Sequence, residues 1–341
     1  MRPTVHDVAG EAGVSLATVD RVLNKRAGVR AATVARVEAA IVRLGFVRDI
    51  AAANLAKQRV YHLVFIIPDG PNSFMRALER ELEQVRSNSV LDRTEIRVVK
   101  VPAFDSTALV AALESLDPAT ISGLALVATE TVGVRDGVAR LRREGVAVVT
   151  MVSDMPASGR DHFVGIDNVA AGRTAAGLIG RFAGQRRGKV ALVAGSMLVR
   201  DHVERRMGFD QVIQAEFPAL ECLPVLEGRD DAEIVRELLA QCLEREPNIV
   251  GIYSIGAGNR GVIDVLQARP AYRDLVVVAH ELTDHSRKAL REGLFDAVIN
   301  QDAGHEIRSA IRLLKARIDG TRIVDGQESI RIEIYLRDNL P

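Results

Sequence analysis

Three stretches of this 341-residue chain carry residue types and spacings that could do chemistry. Gly256-Ala-Gly-Asn-Arg-Gly261 is a literal Gly-x-Gly-x-x-Gly between an apolar run and a helical stretch, with Glu281 about twenty residues on. Such glycines can admit a pyrophosphate, and such a carboxylate can take a ribose hydroxyl. The motif lies late in the chain, however, and its glycines are expected instead to bring a helix start close to a bound ligand. His280-Glu-Leu-Thr-Asp-His285 suggests a pair of zinc ligands. Its histidines stand five apart and do not share a helical face as an i, i+4 pair does. Asp284 fits the first turn of a helix instead. Gly195-Ser-Met lacks the second glycine of a nucleophile elbow. Cys222 and Cys242 have neither metal nor redox spacing and read as reduced, buried thiols. No catalytic residue, metal or cofactor is expected, and the chain does not read as an enzyme.

The first 24 residues are more specific. Asp7-Val8-Ala9 opens a short helix, Gly13-Val14-Ser15 makes a corner, and Thr18 to Asn24 rides on a second helix. Ser15 is a good N-cap, and Gly13 accommodates the bend. Val8 and Ala9 can meet Val14, Val19 and Val22, which leaves Leu16, Ala17, Asp20 and Arg21 outside, where helix-turn-helix motifs meet a major groove. An ordinary surface hairpin is the plainer alternative. Residues 30–44 form a third amphipathic helix, with Val34, Val37, Ile41 and Leu44 inward and Gly45 as its stop. Residues 50–57 are rich in helix formers but too few for a stable isolated helix. Through Arg59 there are ten Lys and Arg against five Asp and Glu, about +5, and the whole chain is neutral. A basic head on an acidic body suits phosphate binding.

After Arg59 the texture changes. Apolar runs at 61–67, 95–101, 123–128, 147–152, 189–194, 249–255 and 275–279 alternate with helical stretches. Runs rich in Val, Ile and Leu imply parallel sheets covered on both faces, and their number implies two doubly wound lobes. With 48% hydrophobic residues the chain can bury a large core. No apolar run approaches transmembrane length, and Met1-Arg2-Pro3 leads into a helix rather than a signal peptide, so a cytoplasmic protein without a membrane partner is expected.

Val5-His-Asp-Val-Ala-x-x-Ala-Gly-Val-Ser-x-x-Thr-Val-x-Arg-Val-Leu-Asn24, followed by Arg43-Leu-Gly-Phe46 and Ala51-Ala-Ala-Asn-Leu-Ala56, resembles the headpiece and hinge of the lac repressor/gal repressor family of bacterial transcription regulators. The resemblance implies a body of the periplasmic sugar-binding-protein type. It implies an all-α helix-turn-helix headpiece at 1–48, a hinge at 49–59, and an effector-binding and dimerisation domain at 60–341. Lobe 1 is then about 60–160 and 296–322, and lobe 2 about 161–295 and 323–341, with crossings near 157–163, 293–299 and 320–326. DNA contacts are expected from Val5, His6, Ser15, Leu16, Ala17, Thr18, Arg21, Asn24, Ala52 and Leu55. Leu16, Ala17 and Arg21 would meet bases, Ser15, Thr18 and Asn24 phosphates, and Leu55 would wedge the minor groove. Asp20 departs from the family's usual Ser and would accept from cytosine or pair with Arg21 or Arg2.

For the effector, the family pattern selects Asn72 and Phe74 after the first strand, Ser153 and Asp154 after the fourth, Glu281, and Gln301 at the late crossover. The second lobe departs from the pattern. Val203 falls where relatives have a ligand-binding Arg, among Arg200, Asp201, His202 and Arg205, and Ile255-Gly-Ala-Gly-Asn259 replaces the usual Asn-Asp. Arg200, His202 and Asn259 are expected to take over those contacts. The expected protein is thus a homodimeric repressor on a duplex, pseudo-palindromic operator, controlled by a neutral sugar or polyol. A phosphorylated or acidic sugar, a sugar sensor whose head docks on protein rather than DNA, and a dinucleotide enzyme are the alternatives.

Overall fold

The computed structural model describes residues 3–24, 26–46, 60–88 and 93–341. The chain divides between Arg59 and Val60 into two compact units. In the first unit, α1 (Val5–Ala12), α2 (Leu16–Leu23) and α3 (Ala31–Leu44) enclose Val8, Val19, Val37 and Ala40. Val14 and Val22 pack against this core as expected, and Phe46 closes it. Helix α1 starts two residues before the Asp7 opening read from the sequence. The reason is a reciprocal cap: Asp7 N donates to Thr4 Oγ1 (3.3 Å) while Thr4 N donates to the Asp7 carboxylate (2.7 Å). Ser15 caps α2 by accepting from Thr18 N at 3.2 Å, and Gly13 and Gly45 end α1 and α3 in the left-handed region.

The second unit holds two sheets. The first comprises β1 (Tyr61–Asp69), β2 (Thr94–Pro102), β3 (Gly123–Leu126), β4 (Ala147–Met151) and β5 (His162–Val164), in the order β2-β1-β3-β4-β5 and parallel throughout. Helices α4 (Ser73–Asn88), α5 (Ser106–Glu114) and α6 (Val132–Arg143) connect the first four strands. Leu63, Phe65 and Ile67 of β1 face one apolar cluster and Val64 and Ile66 the other, so the strand is buried on both sides. Each such side chain contributes about 1.5–3 kcal/mol by its burial.

The second sheet comprises β6 (Gly188–Ala194), β7 (Leu220–Glu227), β8 (Ile249–Ser254), β9 (Val276–His280), β10 (Ala297–Asn300) and β11 (Glu333–Tyr335), ordered β11-β10-β9-β8-β6-β7. Only β11 runs antiparallel among these described strands. Its helices are α7 (Asn168–Ala183), α8 (Arg200–Glu216), α9 (Ala232–Arg245), α10 (Asn259–Ala268) and α11 (Asp284–Arg291). Helices α7 and α8 touch along Gly172 and Gly208: a Cβ at Gly172 would overlap the Arg205 carbonyl, and one at Gly208 that of Val169. The next helix, α12 (Ala303–Asp319), packs on the first sheet, against β3, β4, β5 and α4.

Two of the expected lobe boundaries move. Residues 162–164 pair with β4 and stay in the first lobe, so the first crossing falls at 165–167. Residues 297–300, assigned from the sequence to the first lobe, pair in parallel with β9 (Ala297 opposite Val278), so the chain recrosses only at 301–302. The third crossing lies between α12 and β11.

Candidate functional site

The outer face of the headpiece is built by the cap at Ser15. With Val19 fully buried, Leu16, Ala17 and Arg21 are exposed on the opposite side of α2. Ser15 and Thr18 share a hydroxyl contact of 3.0 Å within the cap, His6 is exposed on α1, and Val5 packs against the headpiece core. Asp20 does not pair with Arg21. Its partners are Arg26, at 3.4 Å, and Asn24, whose Nδ2 donates at 2.6 Å. Arg2, Ala52 and Leu55 lie outside the described residues.

In the second unit the carboxyl ends of the two sheets face a common cavity of about 100 Å3. Where one water takes about 10–15 Å3, this is room for on the order of eight water-sized groups. Ligands of open α/β sheets sit at such strand ends. From lobe 1 come Pro68, Asn72, Phe74 and Met75 after β1, Phe104 after β2, Val127 and Thr129 after β3, and Val152 and Ser153 after β4. Lobe 2 adds Asp201, His202 and Arg205 on α8, Asp230 after β7, Asn259 after β8, and His280 and Glu281 at the end of β9; Gln301 follows β10. Phe104, Val152, Asp230 and Glu281 have φ between 60° and 68°, a region that non-glycine residues enter at a cost of about 1–3 kcal/mol. Such strain gathers where a fold holds its loops for binding.

Arg205 is the central cation, only 2% exposed. Its Nε donates to Asn168 Oδ1 (2.8 Å) and Nη1 to the Ile255 carbonyl (2.9 Å); Nη2 lies 3.7 Å from Glu281 Oε1 without a hydrogen-bond partner. Glu281 accepts from Gln301 Nε2 (2.8 Å) and Gln301 N (3.3 Å). Burial nevertheless pushes its carboxyl up to about 7, against the opposing pull of Arg205 and Gln301. Burial also raises Asp230, against the opposing effects of His202 and Asn72. Asn72 bridges the lobes: its Oδ1 accepts from Phe74 N (2.9 Å) and Met75 N (3.2 Å), while Nδ2 donates to Asp230 Oδ2 (2.7 Å). Arg205 Nη2, Asp230 Oδ1, Gln301 Oε1 and His280 Nδ1 are buried on residues of this wall and carry no hydrogen bond. Behind them Tyr253 stacks on Phe209 (4.6 Å between centroids) and its hydroxyl meets His280 Nε2 at 2.8 Å. Burial holds the His280 imidazole well below its usual range, neutral and hydrogen-bonded.

Of the effector residues expected from sequence, Asn72, Phe74, Ser153, His202, Asn259, Glu281 and Gln301 line the cavity. Two do not. Asp154 is gripped by Arg160, Thr150 and Met155 N; burial would raise its carboxyl, but those hydrogen bonds hold it lower. Arg200 points to Glu204 (2.7 Å) and, across the lobes, to Glu130 (3.4 Å). Arg205 stands where Arg200 was expected. The signal was present, since 201, 202, 205, 209 and 212 form one buried helical face while Val203 is exposed. Asn259 lines the wall but is spent on scaffolding: it accepts from Ser254 Oγ (2.7 Å) and donates to the His280 carbonyl (2.9 Å). Asp230 was missed because its strand, β7, was not read; Phe104 follows a strand that was read, at 95–101, but was not singled out.

The Gly-x-Gly-x-x-Gly turn is explained by packing. A Cβ at Gly256 would press on His202 Nε2, one at Gly258 on Val235, and one at Gly261 would overlap the Ala232 carbonyl. Among the described residues no group of His, Cys, Asp or Glu is placed to hold a metal ion, and no helix is long and apolar enough to cross a membrane.

Residues 4–49 match the family described as bacterial regulatory proteins, lacI family, and residues 63–322 match the periplasmic binding protein domain. Catabolite control protein A of Priestia megaterium is 40% identical over 85 residues, 25% of this chain and 26% of that protein. The HTH-type transcriptional regulator pepR1 of Lactobacillus delbrueckii subsp. lactis is 35% identical over 104 residues, 29% of this chain and 31% of its own length. The chain thus spans between a quarter and a third of these curated relatives. A solute binding protein of Burkholderia graminis, solved with D-arabinose, superposes with a TM-score of 0.73 at 23% identity, over 82% of this chain and 96% of that one. GanP, a glucose-galactose binding protein from Geobacillus stearothermophilus, gives 0.74 at 16% identity, over 83% and 99%. At such identities the likeness shows the fold. The lacI family is one of regulatory proteins and not of enzymes. With its two-lobed body the chain belongs to the periplasmic binding protein domain family, matched over residues 63–322, and its helix-turn-helix head, residues 4–49, is a domain of the bacterial regulatory proteins, lacI family.

Proposed function

We propose that this protein is a sequence-specific DNA-binding transcription regulator, a repressor acting as a homodimer in the cytoplasm, whose operator affinity is set by a small neutral sugar or polyol held between the lobes. The observation that carries the reading is the set of buried, unspent polar atoms at facing strand ends, on Arg205, Asp230 and Gln301, in a chain headed by a helix-turn-helix. A polyol supplies both donors and acceptors to such a set, and leaving those atoms unmatched costs about 1–3 kcal/mol each. An acidic or phosphorylated sugar is disfavoured: Arg200 is outside the cavity, and Arg205 and Arg260 share it with the three carboxyls of Asp201, Asp230 and Glu281.

On the headpiece, Arg21 reads guanine and Leu16 and Ala17 meet base edges, with Ser15, Thr18 and Asn24 at phosphates. Asn24 and Arg26 occupy the Asp20 carboxylate, which reduces its repulsion of the backbone. Effector binding shifts the balance between two arrangements of the lobes, and the paired headpieces report that shift on a pseudo-palindromic operator.

The test uses the full chain. Selection from a randomised duplex library is expected to enrich a palindrome bound with a steep salt dependence, and Arg21→Ala is expected to relax preference at one position of each half-site. A thermal-shift panel of sugars, polyols, sugar phosphates and dinucleotides then names the effector class. Failure to enrich any duplex refutes the DNA-binding reading, and stabilisation by a dinucleotide alone refutes the effector mechanism.

A further inference from the structure

The wall of the cavity is divided by chemistry along the line between the lobes. Lobe 2 supplies the ionisable side chains, among them Asp201, His202, Arg205, Asp230, Arg260 and Glu281. Among its described residues lobe 1 places no charged side chain there, and its surface is Phe74, Met75, Phe104, Val127 and Val152. The polar groups it does bring are largely engaged. Asn72 spends its oxygen on the amides of Phe74 and Met75 and its nitrogen on Asp230. Ser73 Oγ accepts from Arg76 (3.0 Å), and Ser153 Oγ accepts from Asp201 N (3.4 Å). What remains toward a ligand is a few hydroxyls, on Ser73, Thr129 and Ser153. The unspent buried donors and acceptors lie on lobe 2 and at the crossover: Arg205 Nη2, Asp230 Oδ1 and Gln301 Oε1.

A fully hydroxylated sugar held here would turn one edge to a mainly apolar surface that replaces few of the hydrogen bonds it loses from water. A sugar with a methyl group on that edge loses none, and it buries the methyl against two aromatic rings. We infer that the effector is an amphipathic sugar, of the 6-deoxyhexose class, with its hydroxylated edge on lobe 2 and its methyl-bearing edge against Phe74 and Phe104 of lobe 1. The inference rests on the sugar reading proposed above and narrows it.

Calorimetry of the full chain with matched pairs tests it: L-rhamnose against L-mannose, L-fucose against L-galactose, and 6-deoxy-D-glucose against D-glucose. The members of each pair differ only in one hydroxyl. In the pair whose stereochemistry fits, the deoxy sugar is expected to bind tenfold to a hundredfold more tightly, the range an apolar surface achieves against an added hydroxyl. Phe104→Asn tests the assignment of the wall. Asn tolerates the left-handed backbone at this position (φ 62°) and offers the hydroxyl a partner, so the preference is expected to fall below threefold. A ligand-free melting temperature confirms that the variant folds. Equal or tighter binding of the hydroxylated member overturns the inference and leaves the sugar reading standing. An unchanged preference in a folded Phe104→Asn overturns the placement of the methyl edge. If no member of any pair binds, the inference falls, and the thermal-shift panel of sugars and polyols decides the sugar reading separately.

Discussion

Replacing Glu281 by Gln removes one buried titration and reads out its environment directly. Glu281 is 8% exposed, and burial raises its carboxyl from 4.5 to about 7. A carboxyl with a raised folded-state pKa contributes its full stability below the unfolded value and loses it as pH rises through the folded value. For a rise from 4.5 to about 7 the loss amounts to about 2–3 kcal/mol between pH 5 and pH 8. Gln fits the same space: its oxygen accepts from Gln301 N, and its amide donates to Gln301 Oε1, now unpartnered, once that side-chain amide turns over. Urea unfolding followed by circular dichroism at pH 5, 6, 7 and 8 gives the stability of both proteins. The advantage of the Gln variant over wild type is expected to grow by about 2–3 kcal/mol across that range. Asp230 and Glu306 are also raised by burial and slope the same way, but they are present in both proteins, so the difference reports Glu281 and its coupling to Glu306. Parallel pH profiles for the two proteins would refute the argument that this carboxyl is desolvated.

Three further substitutions probe other contacts. Gly172→Ala forces a Cβ into the Arg205 carbonyl and is expected to cost more than about 2 kcal/mol, and to weaken the response to any effector found, by melting and by calorimetry. Tyr253→Phe leaves His280 Nε2 without its hydroxyl and should lower the unfolding free energy by about 1–3 kcal/mol in urea titrations, while the stack on Phe209 persists. Ser15→Ala removes the cap of α2. It should destabilise the headpiece by about 1 kcal/mol in a melt followed by helical signal, while the melting of the body stays unchanged.

What the sequence disclosed and what it hid follow from burial. Strands β1, β4, β8 and β9 announce themselves because both faces are covered and nearly every residue is apolar. Strand β7 is an edge strand, its burial alternating with exposure and Pro224 in its middle, so its hydrophobic signal is weak and Asp230 at its end went unseen. Strands β5, β10 and β11 are three or four residues long, below the length at which periodicity speaks. Where a strand was legible its terminal residues mostly were too: Asn72, Phe74, Ser153 and Glu281 all reach the cavity, and Phe104, after β2, is the exception. Which of two adjacent residues turns inward was not. Val152 in the left-handed region swings the chain so that Ser153 faces the cavity and Asp154 faces Arg160. That choice depends on a partner six residues away and a backbone angle, neither of which a strand pattern encodes.

The amide of Asn72 reaching across to Asp230 has a consequence for populations. One such hydrogen bond is worth about 0.5–1.5 kcal/mol net, which multiplies the ratio of shut to open molecules roughly two- to thirteenfold. On the proposed reading, a latch that light adds little to what an effector must overcome to shift the two forms. A ligand that takes Asp230 and gives Asn72 a new partner shuts the cleft, whereas one that takes Asp230 and offers nothing in return leaves the latch broken. Two occupants of one cavity can then drive the regulator in opposite directions.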